Sequence, residues 1–241
     1  MVLAVGAINI CTFSYQINSM PTMWLEALLA SVALFAALAA RPWRMLAARP
    51  PLVHQTHGAP SALWTPMLAT LVFLPWMWAL PTLHAMPLQL QWSGACLVVL
   101  MLGWPLAIPV FIGVGVMAGL ISPAMAWPDA LSAAVWLGVV PATLALGLGA
   151  LVRRYTGTRP FVYVLGRAFL GTVMCVFAAG VLSQWSGHLL PGVGDELSLV
   201  ARWLMAWGDG FVTGMLAAIF VAFKPEWLAT WSDRLYLPRP Q

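Results

Sequence analysis

The chain alternates long apolar runs with short polar breaks, and the runs recur at about the length of a membrane span. They cover residues 22–40, 63–83, 88–122, 129–152, 161–183 and 199–223. Five approximate the roughly 20 residues that an upright helix needs to cross a hydrocarbon core of about 30 Å. The third, at 88–122, is too long for one upright helix. It is interrupted by Gly103-Trp104-Pro105 and by Pro109, and proline removes a backbone donor and crowds the preceding turn. Two elements are predicted there, near 91–102 and 106–120. Each is too short to cross the core on its own, so the run reads as a re-entrant or tightly packed hairpin. Pro66 and Pro75 lie inside the second run, where neighbouring helices or water can satisfy the freed carbonyls. The expected fold is an all-α integral membrane protein with about seven membrane helical elements, two of them forming the Pro-broken hairpin.

Composition leaves no room for a soluble domain: 62% of the residues are hydrophobic and 7% are charged. Residues 22–223 read as a single polytopic membrane domain and 224–241 as a cytoplasmic tail. The segment 1–21 is ambiguous. It is mildly apolar, holds Asn9, Ser14, Gln16 and Asn18, and lacks the basic start of a secretory signal. Met20 and Met23 are alternative start positions.

The charges then orient the spans. Arg41, Arg44 and Arg49, then Arg153, Arg154 and Arg159, then Lys224, Arg234 and Arg239 each close an apolar run, whereas the breaks between these groups hold Asp129, Asp195 and Glu196. Basic loops face the cytoplasm, so the expectation is a multi-pass protein of the cell inner membrane with its C-terminus in the cytoplasm. A hairpin at 88–122 keeps every basic group on that side, and a single crossing would not. The formal net charge is +4. Because the basic residues sit where anionic headgroups lie, lipid is the expected partner and nucleic acid is not.

Candidate chemistry is sparse. Cys11, Cys96 and Cys175 are isolated in the sequence and read as buried free thiols. His54 and His57 share a loop and read as solvated, while His84 and His188 sit near span ends on the side opposite the basic groups. The glycines of the later spans, among them Gly138, Gly147, Gly149, Gly166, Gly171, Gly208, Gly210 and Gly214, read as close helix packing, with a lining of a substrate route as the alternative. Trp24, Trp43, Trp64, Trp104, Trp127, Trp203 and Trp227 fit interfacial belts. Arg202 lies close enough to a span end to reach the interface. Two charges lie deeper: Arg167 about 10 Å into its span and Asp209 about 21 Å from the basic end of the last one, at 1.5 Å per residue. Ionisable groups at such depth face the protein interior or water. Arg167 either snorkels to the interface or reaches outward to pair with Asp209. No nucleophile motif, metalloprotease motif, phosphate loop or zinc pattern occurs in a workable context, so no catalytic residue, metal ligand or cofactor is assigned and no enzyme is expected.

A family resemblance rests on several stretches. They are Leu90-Gln91-Trp92-Ser93-Gly94-Ala95 running into Leu102-Gly103-Trp104-Pro105-Leu106-Ala107, then Gly138 and Pro141, Phe161-Val162-Tyr163, Asp209 with Gly214-Met215, and the tail Lys224-Pro225-Glu226-Trp227 with Thr230-Trp231-Ser232-Asp233-Arg234-Leu235-Tyr236-Leu237. Together, over roughly residues 88–237, they resemble the cobalt/nickel-type energy-coupling-factor transporter permeases, in a divergent bacterial branch. The resemblance implies a seven-helix substrate-capture component that takes up cobalt or nickel ions with a transmembrane coupling subunit and cytoplasmic ATPases on separate chains.

Several family positions differ. Metal-binding members begin Met-His and carry a His three residues before the hairpin glycine, where this chain has Met1-Val2 and Gln91. An amide oxygen is a poor substitute for imidazole toward these ions. The family's Phe-Pro-Glu-Ala is replaced by Trp207-Gly208-Asp209-Gly210, and Arg167 stands where relatives have a polar amide. A cationic side chain there suits an anionic or neutral substrate. The expected substrate-binding residues are Gln91, Arg167 and Asp209, in a permease-like component whose family metal ligands are missing. The alternatives are a membrane assembly or scaffold protein, a haem- or copper-handling protein using His84 and His188, and a membrane-embedded enzyme, for which the one deep carboxylate, Asp209, has no paired nucleophile or base in the sequence.

Overall fold

The computed structural model describes residues 22–47, 61–83, 91–156, 159–188, 190 and 194–231. Cys11, His54, His57, His84, Arg49, Arg234 and Arg239, and the family-like tail beyond Trp231, lie outside the described residues. Among those described there is no strand. Helix α1 (Thr22–Ala39) is followed by the short α2 (Trp43–Leu46), then α3 (Trp64–Leu83), α4 (Ala95–Leu102) and α5 (Trp104–Ile121). Helix α6 (Trp127–Ala133) runs through a π-helical stretch, Ala134–Val139, into α7 (Val140–Thr156). A second π-helical stretch, Val162–Leu170, leads into α8 (Gly171–Trp185). The chain closes with α9 (Asp195–Phe223) and a 3₁₀ turn, Pro225–Trp227. Among the described residues, six helices are long and apolar enough to cross a membrane: α1, α3, α5, Trp127–Tyr155, Val162–Trp185 and Leu197–Phe223. The protein is an all-α, multi-pass membrane protein.

The hairpin differs from expectation in one arm. Helix α4 has 8 residues, about 12 Å of rise, and stops well short of a full crossing. Helix α5 has 18 residues, about 27 Å, and spans. The expected weakening by Pro105 fails because this proline sits in the first turn of α5, where an N–H would have no helical partner anyway. Gly103 makes the break instead. Its φ of 76° and ψ of 155° are open to a residue without Cβ and strained for any other.

All eight residues of α4 are buried. A short helix in the middle of a bundle must have its end carbonyls satisfied by something other than water, and the tail does this. Ala229 N–H donates to Met101 O at 2.9 Å and Thr230 N–H to Leu100 O at 3.3 Å. Thr230 Oγ1 donates to Leu100 O at 3.0 Å and is bonded to Tyr163 Oη at 2.8 Å. The Met45 side chain abuts Gly103 here, and Ser61 Oγ ties back to Met45 O. This is the end of the bundle at which Arg41, Arg44, Arg153, Arg154 and Lys224 leave the helices; it is called the basic end below. At the far end, Thr82 Oγ1 donates to Ser122 Oγ at 2.9 Å and joins the ends of α3 and α5.

The central packing explains part of the glycine pattern. Trp78 of α3 stacks on Phe111 of α5 with centroids 6.3 Å apart. A Cβ on Gly138 would lie 2.9 Å from Phe111 and 3.1 Å from Trp78, so only glycine lets the first π-helical stretch approach this pair. A Cβ on Gly210 would lie 2.5 Å from Val173, which holds α9 against α8. Packing accounts for these glycines, whereas Gly147 and Gly208 meet nothing nearby.

Candidate functional site

The far half of the bundle encloses a cavity of about 370 Å³. Asp209, the fifteenth of the 29 residues of α9, lies at its floor, and Asp129 of α6 is exposed at its rim. Gln91, Ser132, His188 and Arg202 also line it. Of the three residues assigned from sequence, Gln91 and Asp209 meet at this cavity and Arg167 does not.

The floor is built by a discontinuous helix. Helix α4 begins in the interior rather than at a membrane face, behind Gly94 in a left-handed conformation at φ 64°. Its first turn is the positive end of the helix dipole. Ser93 N–H donates to Asp209 Oδ2 at 3.2 Å. Ser93 Oγ accepts from Ala95 N–H at 3.2 Å and donates to Leu137 O at 2.6 Å, while Ser93 O accepts from Trp78 Nε1 at 3.4 Å. One serine thereby fastens α4, α3, the first π-helical stretch and α9 around the carboxylate.

Asp209 is 2% exposed. The Gly94 amide and the Trp92 indole are near its carboxylate, yet Oδ1 and Trp92 Nε1 each lack a partner at bonding geometry. Buried polar atoms are nearly always paired, and the Trp92 indole is the unpaired donor that stands beside this carboxylate. Arg202 supplies the opposite charge. Its Nη2 donates to His188 O at 2.7 Å, and its Nε is buried without a partner. The side chain runs beside Gly180, where a Cβ would lie 3.3 Å from Cδ. Arg202 was expected at the lipid interface; the His188 carbonyl and the gap at Gly180 draw it onto the cavity instead.

Arg167 forms no ion pair with Asp209 among the described residues. It rests in a crevice on the other side of α4, with Nε at 2.8 Å from a Cβ built on Gly149 and its guanidinium 5.7 Å from the Tyr163 ring centroid. Cys96, Leu148 and Gly171 line the same crevice. The absence of a side chain at Gly149 and the face of Tyr163 hold the cation there. The expected anionic preference drawn from Arg167 therefore has no basis at the cavity.

Glu26 was overlooked in the sequence, and it holds two residues of the cavity wall, Trp136 and His188. It is 2% exposed on the least covered of the six spans. Its Oε1 accepts from Trp136 Nε1 at 2.9 Å and lies 2.8 Å from His188 Nε2. A lone acid near the start of an otherwise apolar helix is the signal that would have found it. His188 is thus a bridge between α1 and α9, with its Nδ1 left without a partner. The cysteines also change reading. Cys96 and Cys175 are free and buried as expected, but their thiols neighbour each other across α4 and α8, which their separation in sequence hides. Among the described residues, no three His, Cys, Asp or Glu side chains gather as a metal site would.

Compared with protein-family models, with curated proteins and with solved structures, the chain matches none.

Proposed function

We propose that this chain is the substrate-capture component of a membrane transport system, which holds a small polar solute in the far-end cavity. One observation carries the reading: a half-length helix begins deep in the bundle, beside a buried carboxylate in the wall of a cavity. Discontinuous helices that expose their termini near the bilayer midplane are how transporters build solute sites, and a buried ionisable residue that faces a cavity marks a solute path. A volume of about 370 Å³ falls within the roughly 300–1,000 Å³ of small-molecule sites.

The resemblance to energy-coupling-factor permeases supports the same role. It adds a transmembrane coupling subunit and cytoplasmic ATPases as partners, with the basic end facing the cytoplasm of the inner membrane. The solute is a polar organic molecule rather than a bare cobalt or nickel ion. The cavity offers one buried carboxylate and an amide against a fixed guanidinium, and His188 Nε2 is engaged by Glu26.

The test is thermal stability of the full chain in detergent across a broad panel of small polar solutes, with cobalt(II) and nickel(II) included, run beside Asp209→Asn. At least one organic solute should raise the Tm of the parent and leave the variant unmoved. A panel with no effect, together with a stable membrane partner that copurifies, would favour an assembly or scaffold role instead.

A further inference from the structure

Several elements meet at His188, and the contact explains where Arg202 points. The turn after α8 carries Gly187 at φ 93°, a conformation open to glycine, and brings the His188 N–H onto Ser183 O at 3.0 Å. The imidazole then donates from Nε2 to Glu26 Oε1 of α1 at 2.8 Å and lies against the Trp136 ring with centroids 5.7 Å apart. Trp136 Nε1 donates to the same carboxylate at 2.9 Å. With its N–H and its ring both fixed, His188 holds its carbonyl in a set direction, and Arg202 Nη2 donates to it at 2.7 Å. Arg202 has another place to go. It lies seven residues into α9, about 10.5 Å of rise, within reach of the membrane interface for so long a side chain. The His188 carbonyl competes with interfacial water for the guanidinium, and a charge-assisted hydrogen bond decides the outcome.

Resting on the reading of the cavity as a solute site, we propose that Glu26 is its positioning residue: through His188 it sets the Arg202 guanidinium on the wall, so that the charge a solute meets depends on α1. The other buried residues of α1 are Ala30 and Ala37, which pack closely and carry no chemistry. A carboxylate in so apolar a span is costly unless it is tied into the protein, and Trp136 and His188 are its ties. Glu26 acts from behind the lining, which Trp136, His188 and Arg202 supply. Asp129 at the exposed rim and Asp209 at the floor add negative charge to the same space, and Arg202 is the cation set against them. Loss of Glu26 therefore has two effects of opposite sign. Removing a carboxylate favours anions in the cavity, whereas releasing Arg202 toward the interface disfavours them. The second is the larger, because Arg202 lines the cavity and Glu26 does not, and a charge acts most strongly at short range.

The experiment reads the charge of the cavity and needs no solute. In the full chain with its native cysteines replaced, Ser132→Cys on the cavity wall is modified by two methanethiosulfonates of similar size, one bearing a sulfonate and the other a trimethylammonium. The quantity measured is the ratio of the anionic to the cationic rate. A general loosening of the bundle speeds both reagents and leaves this ratio in place. Arg202→Gln should lower it about threefold or more. Glu26→Leu should lower it by most of that factor and add nothing further to Arg202→Gln. Glu26→Gln keeps an acceptor for Trp136 and His188 and should not lower it. His188→Leu breaks the same link from its other end and should also lower it; where Glu26→Leu fails to fold, His188→Leu set against Glu26→Gln decides. A ratio that rises in Glu26→Leu, or one that the Leu variants leave unchanged, would overturn the positioning role and leave the capture role intact. So would a ratio indifferent to Arg202→Gln. Failure of both reagents to reach Ser132→Cys in the parent would overturn the positioning role together with the open cavity on which the capture role depends.

Discussion

The two halves of the bundle treat their polar groups in opposite ways. At the basic end, α4 is buried on every side, and its terminal carbonyls are taken up by the tail at Ala229 and Thr230. At the far end, Asp209 Oδ1, Arg202 Nε and His188 Nδ1 are buried around a cavity and left unpaired. Both ends belong to the same short helix: one terminus of α4 is sealed by the chain and the other opens on the cavity. Under the proposed capture role, a solute would occupy the cavity at the second. The packed half is expected to carry stability and the open half binding.

The largest effect should therefore come from the sealed half. Leu102 is fully buried between α4 and its neighbours, and Leu102→Ala should cost about 2–5 kcal/mol by cavity formation, toward the lower figure because the unfolded reference remains in detergent. Thermal unfolding of the purified chain measures this. Next comes Ser93, the joint between the halves. Ser93→Ala orphans the Ala95 N–H and loses the bond to Leu137 O, at about 1–3 kcal/mol, and should weaken solute binding as well because it loosens the Asp209 support. A variant stable to within experimental error would show that the four-way junction is incidental.

Asp209→Asn sharpens the contrast. It removes a desolvated charge while keeping an acceptor for the Ser93 amide, so its stability should stay within about 1 kcal/mol of the parent, while every solute-dependent rise in Tm disappears. A large loss of stability with solute response retained would reverse the roles given to the two halves. The smallest effect is expected from a double-mutant cycle. Arg167 and Asp209 lie on different cavities, so Arg167→Leu and Asp209→Leu should be additive to within about 0.5 kcal/mol. A larger coupling would mean that the two charges sense each other after all.

Sequence and structure part company where chemistry depends on packing rather than on pattern. The spans were legible from hydropathy and their ends from the arginines, because bilayer thickness and headgroup charge act along the chain. The break at Gly103 was legible as well, although the prolines drew attention to the wrong arm: Pro105 is harmless in a first turn, and α5 spans. Asp209 and Gln91 could be singled out by depth and motif. Depth singled out Arg167 over Arg202, yet Arg202 is the one on the cavity, since what places each is the room at Gly149 for one and the His188 carbonyl for the other, both contributed by distant segments. Glu26 went unnoticed because its partners, Trp136 and His188, lie more than a hundred residues away. The neighbouring thiols of Cys96 and Cys175 were hidden for the same reason.

The most direct test of the central claim asks which half admits water. In a chain whose native cysteines are replaced, Ser132→Cys on the cavity wall and Val99→Cys in the sealed half are treated with a charged, water-soluble thiol reagent in membranes opened to both sides. Ser132→Cys should label readily, and Val99→Cys, at a position 2% exposed, should stay unmodified until the protein unfolds. Equal labelling at the two positions, or protection at both, would contradict the division of the bundle into a sealed half and an open one.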